Sequence, residues 1–397
     1  MSKNKLEKPA KTGAKRISRA GFWLSPVLFL LIFGGILAGF AIKMGVSNML
    51  GTFMSTAYAL LIETCLYIMA IAVIMGAVAA LLSEFGVVTL LNHILNPLMK
   101  PLYGLPGAAA LGIVTTYLSD NPAILSLAED AGFRKYFKKY QFYALTNLGT
   151  AFGMGVIVST FMLGLKNVSG NVFAAVLIGN LGAVIGSIVS TRLMLMHTKK
   201  IFGVEEYEDA PVVGLSSSAP SGGKRPGIGM RILNAALNGG KSGVDIGLAI
   251  IPGVLVVCTL VMMLTNGAPE GGYTGGAYEG VGLLPWLADK AEVVLKPLFG
   301  FSNSGAVSVP ITALGSAGAA TSIVKVMADA GSVTAHDIAV FTAMCMCWSG
   351  YLSTHASMMQ ALHRPELTGR AILSHTVGGL IAGISANWLF KLIELIF

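Results

Sequence analysis

The residues best equipped for chemistry stand inside apolar sequence. Ser119-Asp120-Asn121-Pro122 breaks a run that is otherwise nearly free of charge. An aspartate at membrane depth is costly and marks solute, proton or ion work. Asn121 precedes a proline and is pushed away from helical backbone, whereas Pro122 suits the first turn of a new helix capped by Asp120 or Asn121. The residues therefore predict two half-helices, 108–118 and 122–130, meeting near the bilayer midplane. The free N–H groups of the second would face a polar or anionic ligand. A proline kink filled by neighbouring helices is the plainer reading.

Other polar groups fall at matching places further along. Thr146, Asn147 and Thr150 open one apolar span, and Thr342, Ser349, Ser353, Thr354 and His355 lie in a later one. A hydroxyl in a membrane helix usually bonds its own backbone, so the recurrence, not any single residue, carries the argument. The candidate solute site comprises Thr116, Ser119, Asp120, Asn121, Thr146, Asn147, Ser316, Thr321, Ser349, Ser353 and His355. The coupling-ion candidates are Glu63 and Asp120; Glu63 reads equally as a snorkelling acid near a span end. Asp245 reads as a boundary residue.

Catalysis and metal binding find little support. Met344-Cys345-Met346-Cys347 offers soft ligands, but residues two apart on a helix point about 200° from each other. Asn238-Gly239-Gly240-Lys241-Ser242 lacks the first glycine of a phosphate loop, with Ala235 in its place, and no strand precedes it. No hydrolase elbow, HExxH or dinucleotide fingerprint occurs, so no catalytic residue, metal or cofactor is expected.

The elements that must position these residues are apolar spans. Of 397 residues 54% are hydrophobic and 12% charged, about half the charge of a soluble domain, and mean hydropathy is +0.73. Cys65, Cys258, Cys345 and Cys347 all sit in apolar runs, so no disulfide framework is implied. The net charge of +8 comes from basic residues flanking spans, which speaks for topology and against nucleic-acid binding. Spans are expected at 22–42, 57–82, 142–165, 172–196, 246–265, 338–362 and 371–390. The first is too long for the apolar core of a signal peptide and reads as an uncleaved anchor.

A phrase is written twice. Lys100-Pro101-Leu102-Tyr103-Gly104 returns as Lys296-Pro297-Leu298-Phe299-Gly300. Each copy leads into an interrupted apolar stretch, Ser119 to Pro122 in one and Gly315-Ser316-Ala317-Gly318 in the other. Each then reaches an acidic-Ala-Gly stop at Asp130 or Asp329. Lysine and arginine give the orientation. Seven basic residues from Lys3 to Arg19 place the N-terminus in the cytoplasm, and Arg134 to Lys139 return there. The first core then crosses an even number of times, as two re-entrant hairpins or one full hairpin pair. Residues 266–282 carry no lysine or arginine and belong outside. The span before the first core thus runs inward and the span before the second runs outward, so the repeats are inverted.

The fold expected is an all-α polytopic membrane protein: two inverted-topology repeats with interrupted or re-entrant helices, behind an N-terminal anchor helix. Its divisions are 1–56 (basic tail and anchor), 57–196 (first repeat), 197–242 (hydrophilic linker and amphipathic segment) and 243–397 (second repeat).

The stretch Leu98 to Gly107, the Ser-Asp-Asn-Pro that follows and the second copy resemble proteins with a "nucleoside recognition" or Gate domain. That group holds the spore-maturation A and B proteins and the gate region of ferrous-iron transporters, and is distantly similar to concentrative nucleoside transporters. The second copy departs from the pattern, with Phe301-Ser302-Asn303-Ser304-Gly305 and no Asp-Asn-Pro, and no GTPase domain is present. The resemblance implies a secondary transporter of a small polar, nucleoside-like solute in a bacterial inner membrane, with H+ or Na+ as coupling ion. A non-transporting scaffold or sensor and an ion channel are the alternatives. Homo-oligomerisation is left open.

Overall fold

Residues with long apolar runs and few breakers form helices almost throughout the computed structural model, which describes residues 19–121, 123–129, 131–206 and 227–396. No strand occurs among them; a lone bridge joins Ser169 and Thr334. The chain is a multi-pass membrane protein, with six helices long and apolar enough to span. The first, α1 (Arg19–Met44), is apolar on every side and exposes Val27 to Phe33. It meets the remainder through Phe40 and Met44, which cluster with Met49 and Met263.

Each repeat begins with a very long helix, α2 (Val46–Glu84) and α9 (Ile228–Thr265). At 39 residues α2 is about 58 Å long, roughly twice the hydrocarbon thickness, so it must tilt steeply or project. Both contain a π-helical turn, Leu60–Cys65 and Val254–Cys258. They pack antiparallel through glycines: a Cβ on Gly76 would lie 2.4 Å from the Gly239 carbonyl oxygen, and Gly247 faces Met69. Small residues permit this backbone contact, which replaces the missing hydrophobic drive in lipid.

An amphipathic piece follows, α3 (Val87–Leu98) in the first repeat, and α10 (Leu283–Lys290) with α11 (Glu292–Phe299) in the second. The twice-written phrase ends each. Gly104 and Gly300 take left-handed backbone (φ 73° and 65°), as a helix-terminating glycine does. The carbonyls left open there need donors. Arg192 donates to Pro101 and Leu102, and Asn387 donates to Pro297 and Leu298 at 3.0 and 2.9 Å.

Next come the hairpins, α4 (Ala109–Leu118) with α5 (Ala123–Glu129), and α12 (Ser308–Ala313) with α13 (Ala317–Asp329). A ten-residue arm rises about 15 Å, half a bilayer, so the even number of crossings resolves as re-entrant hairpins. The helices after them are split, α6 (Lys139–Thr150) from α7 (Gly155–Leu163), and α14 (Ala335–Cys347) from α15 (Tyr351–Ala361). Here sequence and structure differ, because 142–165 and 338–362 read as unbroken spans. Met154 and Gly350 adopt left-handed backbone and restart the second half of each. Long helices α8 (Val172–Phe202) and α16 (Thr368–Ile396) close the repeats.

The helix starts at Val172 and Thr368, the left-handed residues Met154 and Gly350, and the two phrases all share one spacing of 196 residues. Helices α8 and α16 pack antiparallel, with Gly182 against Ala382 and Ala386, and Gly186 against Gly378. Ser169 and Thr334 meet on one face, whereas Lys139 N–H donates to the Glu206 carbonyl on the other. The hairpins therefore enter from opposite faces. The inversion deduced from charge is present in the fold.

Candidate functional site

The interruptions converge. Asn121, at the first hairpin's tip, is buried and donates through Nδ2 to the Ser349 carbonyl at 2.6 Å, in the break of the second split helix. Its Oδ1 would be 1.6 Å from a Cβ on Gly153, in the break of the first split helix. Only glycine fits there. That Oδ1 has no hydrogen-bond partner, an unsatisfied acceptor beside the C-terminal end of α4, where free carbonyls favour a cation or a polar ligand. The second tip is tied to its own repeat: Gly350 N–H donates to the Ala313 carbonyl at 3.1 Å, and Gly350 packs on Gly315.

A cavity of about 1350 Å³ runs to the first tip. Phe133 and Tyr136 stand on the same face as Lys138 and Lys139 and form its mouth, and Ser119 and Asp120 lie at the tip. Asn92 and Asn96, one helical turn apart on α3, Thr115 on α4, and Ser242 and Asp245 on α9 supply further polar groups. Asn92 Oδ1 is a second buried acceptor without a partner. The Asp120 carboxylate accepts from the Asn121 N–H at 2.7 Å. Among the described residues no lysine or arginine lines the cavity, and Asp120 and Asp245 give its wall an acidic character.

The second repeat has a counterpart cleft on the opposite face. Glu292, Asn303, Ser304 and Val307 line it where Asn96, Gly107, Ala108 and Leu111 line the first, each pair 196 residues apart. It measures about 480 Å³ and does not reach the Gly315-Ser316 tip. Residues 266–282 are bound to α2 on that face. The buried Glu279 accepts from the Thr52 hydroxyl at 3.2 Å and from the N–H groups of Thr274, Gly275 and Gly276. Burial alone would raise its pKa, but these hydrogen bonds hold the carboxyl below its usual range. The molecule is thus open towards one face and shut towards the other.

The remaining candidates divide by partner. Thr116, Thr146 and Thr321 hydroxyls donate to carbonyls three or four residues back in their own helices. Ser316 caps α13 by accepting from the Ala319 N–H. Asn147 donates to Ser190 Oγ and the Ala371 carbonyl, and Ser349 contributes its carbonyl to Asn121. His355 is buried against His375, away from the cavity lining, and Glu63 is exposed on the first π-helical turn. The Ser353 side chain lies outside the described residues, as do Pro122 and Asp130. Asn92, Asn96 and Asp245 were not among the sequence candidates; the spacing of the two asparagines on an amphipathic helix was the available signal.

Residues 65–166 match the Gate family, described as nucleoside recognition. The matched segment holds the first hairpin and first split helix. Among curated proteins nothing matches. Among solved structures, CNTnw in an inward-facing substrate-bound state is similar at TM-score 0.50 and 13% identity, covering 94% of this chain and 87% of that one. A doubly substituted CNTnw in an outward-facing state gives 0.51 and 15%, with the same coverage. At these identities the likeness shows the fold alone, the one that CNTnw adopts.

Proposed function

We propose that this chain is a secondary transporter of a small polar solute, nucleoside-like in size and polarity, with the basic face in the cytoplasm of a bacterial inner membrane. One observation carries the reading. A large cavity, apolar over most of its wall, ends on the polar residues Ser119 and Asp120 at a re-entrant tip, while its symmetry-related cleft on the other face stops short of the second tip. Exchange of those two conditions between inverted repeats is alternating access about a midplane site. The Gate match over the same hairpin supports a nucleoside-like solute. A tip packed dry would have favoured a non-transporting scaffold, and a shut opposite face argues against a continuous pore.

The lining narrows the solute. Asp120 and Asp245 face the cavity without a basic side chain, which favours neutral or cationic molecules and rejects phosphate esters. Asp120, Ser119 and Asn92 are the hydrogen-bonding groups, and Phe133 and Tyr136 add aromatic residues to the lining. The Asp120 carboxylate is the cation-accepting end, while Asn121 lies outside the lining with its Oδ1 against Gly153. Glu63, exposed outside the cavity, is given no part.

Uptake of labelled uridine into proteoliposomes tests the proposal, beside unlabelled uridine, uridine monophosphate and an aliphatic amine as competitors. Uridine or the amine should compete and the monophosphate should not. Asp120→Ala should lower uptake at least about tenfold, the effect of losing roughly 1.4 kcal/mol. Ser316→Ala, at the second tip, should cost only a helix cap and leave uptake near wild type. Equal uptake by Asp120→Ala and wild type would remove Asp120 from the mechanism.

A further inference from the structure

A second polar cluster lies apart from the cavity, beside the break in the second split helix. His375 is buried, and its Nε2 bonds the Cys347 carbonyl. A carbonyl only accepts, so Nε2 carries the proton. Its Nδ1 lies 2.9 Å from Ser190 Oγ, which in turn accepts from Asn147 Nδ2 at 3.0 Å. The chain closes consistently in one way: Asn147 donates to Ser190, Ser190 donates to Nδ1, and Nε2–H donates to Cys347. His375 is therefore fully satisfied as a neutral imidazole, and a proton on Nδ1 would turn two donors on the Ser190 oxygen.

His355 is different. It is wholly buried, its ring centroid is 4.8 Å from that of His375, and neither of its nitrogens has a hydrogen-bond partner. A buried imidazole without partners costs free energy that an apolar residue would not. One of its nitrogens is a base with an unused lone pair. The elements packed on α15 bring the titratable groups His375, Tyr143, Arg364 and Glu366, and α15 itself brings Tyr351. Only His375 and Tyr351 are in ring contact with His355; Arg364 is engaged with Tyr143 and Glu366. His355 is also five residues beyond Gly350, in the helix whose preceding break carries the Ser349 carbonyl held by Asn121.

We infer that His355 is a proton-binding site through which solute movement is coupled to a proton gradient. The coupling half of this inference rests on the transporter reading above; the proton site does not. A proton from water on one face adds to the free imidazole lone pair, no bond of the protein breaks, and the same proton leaves to water on the other face. The charge so created has no counter-charge in the cluster. Its relief is a shift of α15 that exposes the ring, and such a shift strains the Asn121–Ser349 contact at the first hairpin tip. Protonation and tip position are thereby linked.

Trp348 is a built-in reporter, because its ring stacks 6.0 Å from Tyr351, which contacts His355. Protein with Trp23, Trp286 and Trp388 changed to phenylalanine is titrated without solute across roughly pH 3–8, a range wide enough to include a buried imidazole without a counter-charge. Trp348 emission should follow a single-proton curve that disappears in both His355→Gln and His355→Phe; the phenylalanine keeps the ring contacts. In proteoliposomes, an imposed pH gradient should raise uridine accumulation several-fold in wild type. The two His355 variants should retain uridine exchange but lose that gain. A flat titration, or one that persists in both variants, overturns the proton site. A titration through His355 with gradient-independent uptake overturns the coupling. Should wild type move no uridine at all, the transporter reading fails, and the titration alone decides the proton site.

Discussion

The two hairpins share a frame and differ in attachment. The first tip crosses between repeats, with Asn121 held by Ser349 and wedged against Gly153, and a cavity reaches it. The second tip stays at home, tied to Gly350 by a backbone bond, with Ser316 spent on a helix cap. A side-chain contact between repeats can be exchanged during rocking, whereas a backbone bond within one repeat moves with it. The connections differ as well. Two residues, Phe85 and Gly86, join α2 to α3, whereas residues 266–282 join α9 to α10 and pack over α2. Inverted repeats made of equal parts would favour neither face. Here the unequal parts bias which face is open.

The largest test of this contrast is at the breaks. Gly153→Val would drive a side chain into Asn121, and overpacking with loss of a buried bond should cost about 2–4 kcal/mol. A thermal melt should show it, and cavity-side labelling of a cysteine at Ser119 should change in parallel. An unchanged melt would mean that the first tip is not wedged. Next come the anchors of the repeated phrase. Asn387 is buried and serves two carbonyls, whereas the exposed Arg192 serves their counterparts. Asn387→Ala should therefore cost about 2–3 kcal/mol and Arg192→Ala about 1 kcal/mol or less. Equal costs would show that burial does not distinguish the halves.

A smaller effect is expected at Met154, whose φ of 56° strains a buried side chain where the other repeat has Gly350. Met154→Gly relieves roughly 1–2 kcal/mol of strain but empties a core position worth more, so it should lower stability by about 1–2 kcal/mol, read as a lower melting temperature. The smallest test concerns the long connection. The folded-state pKa of Glu279 is lowered, so its contribution is full above the unfolded carboxyl value of 4.5 and is lost as pH falls through the folded value. Wild type should lose stability on acidification below about pH 4.5, and Glu279→Gln should show a shallower loss. Parallel curves would detach Glu279 from closure of that face.

Much of the frame was legible because it depends on local chemistry. Asn121 before Pro122 marks the first break, and the half-helices Ala109–Leu118 and Ala123–Glu129 fall within one residue of expectation. The lysine count gave the inversion. The breaks at 151–154 and 348–350 were not legible, because a short left-handed turn leaves an apolar run unchanged in hydropathy. Met154 carries no glycine signal at all. Nor could spacing show that Asn92, Asn96 and Asp245 face one cavity, or that His355 and His375 touch from different helices.

By itself the sequence determined the membrane, the duplication, the opposed orientation of the halves and the first hairpin's break. Those follow from transfer free energy, charge placement and backbone restriction, which each residue carries wherever it stands. Tertiary structure decided which break each tip meets, which face is open and which polar groups are left without partners. These are properties of pairs far apart in the chain, such as Asn121 with Ser349 or Ser190 with His375, and only packing brings such pairs into contact.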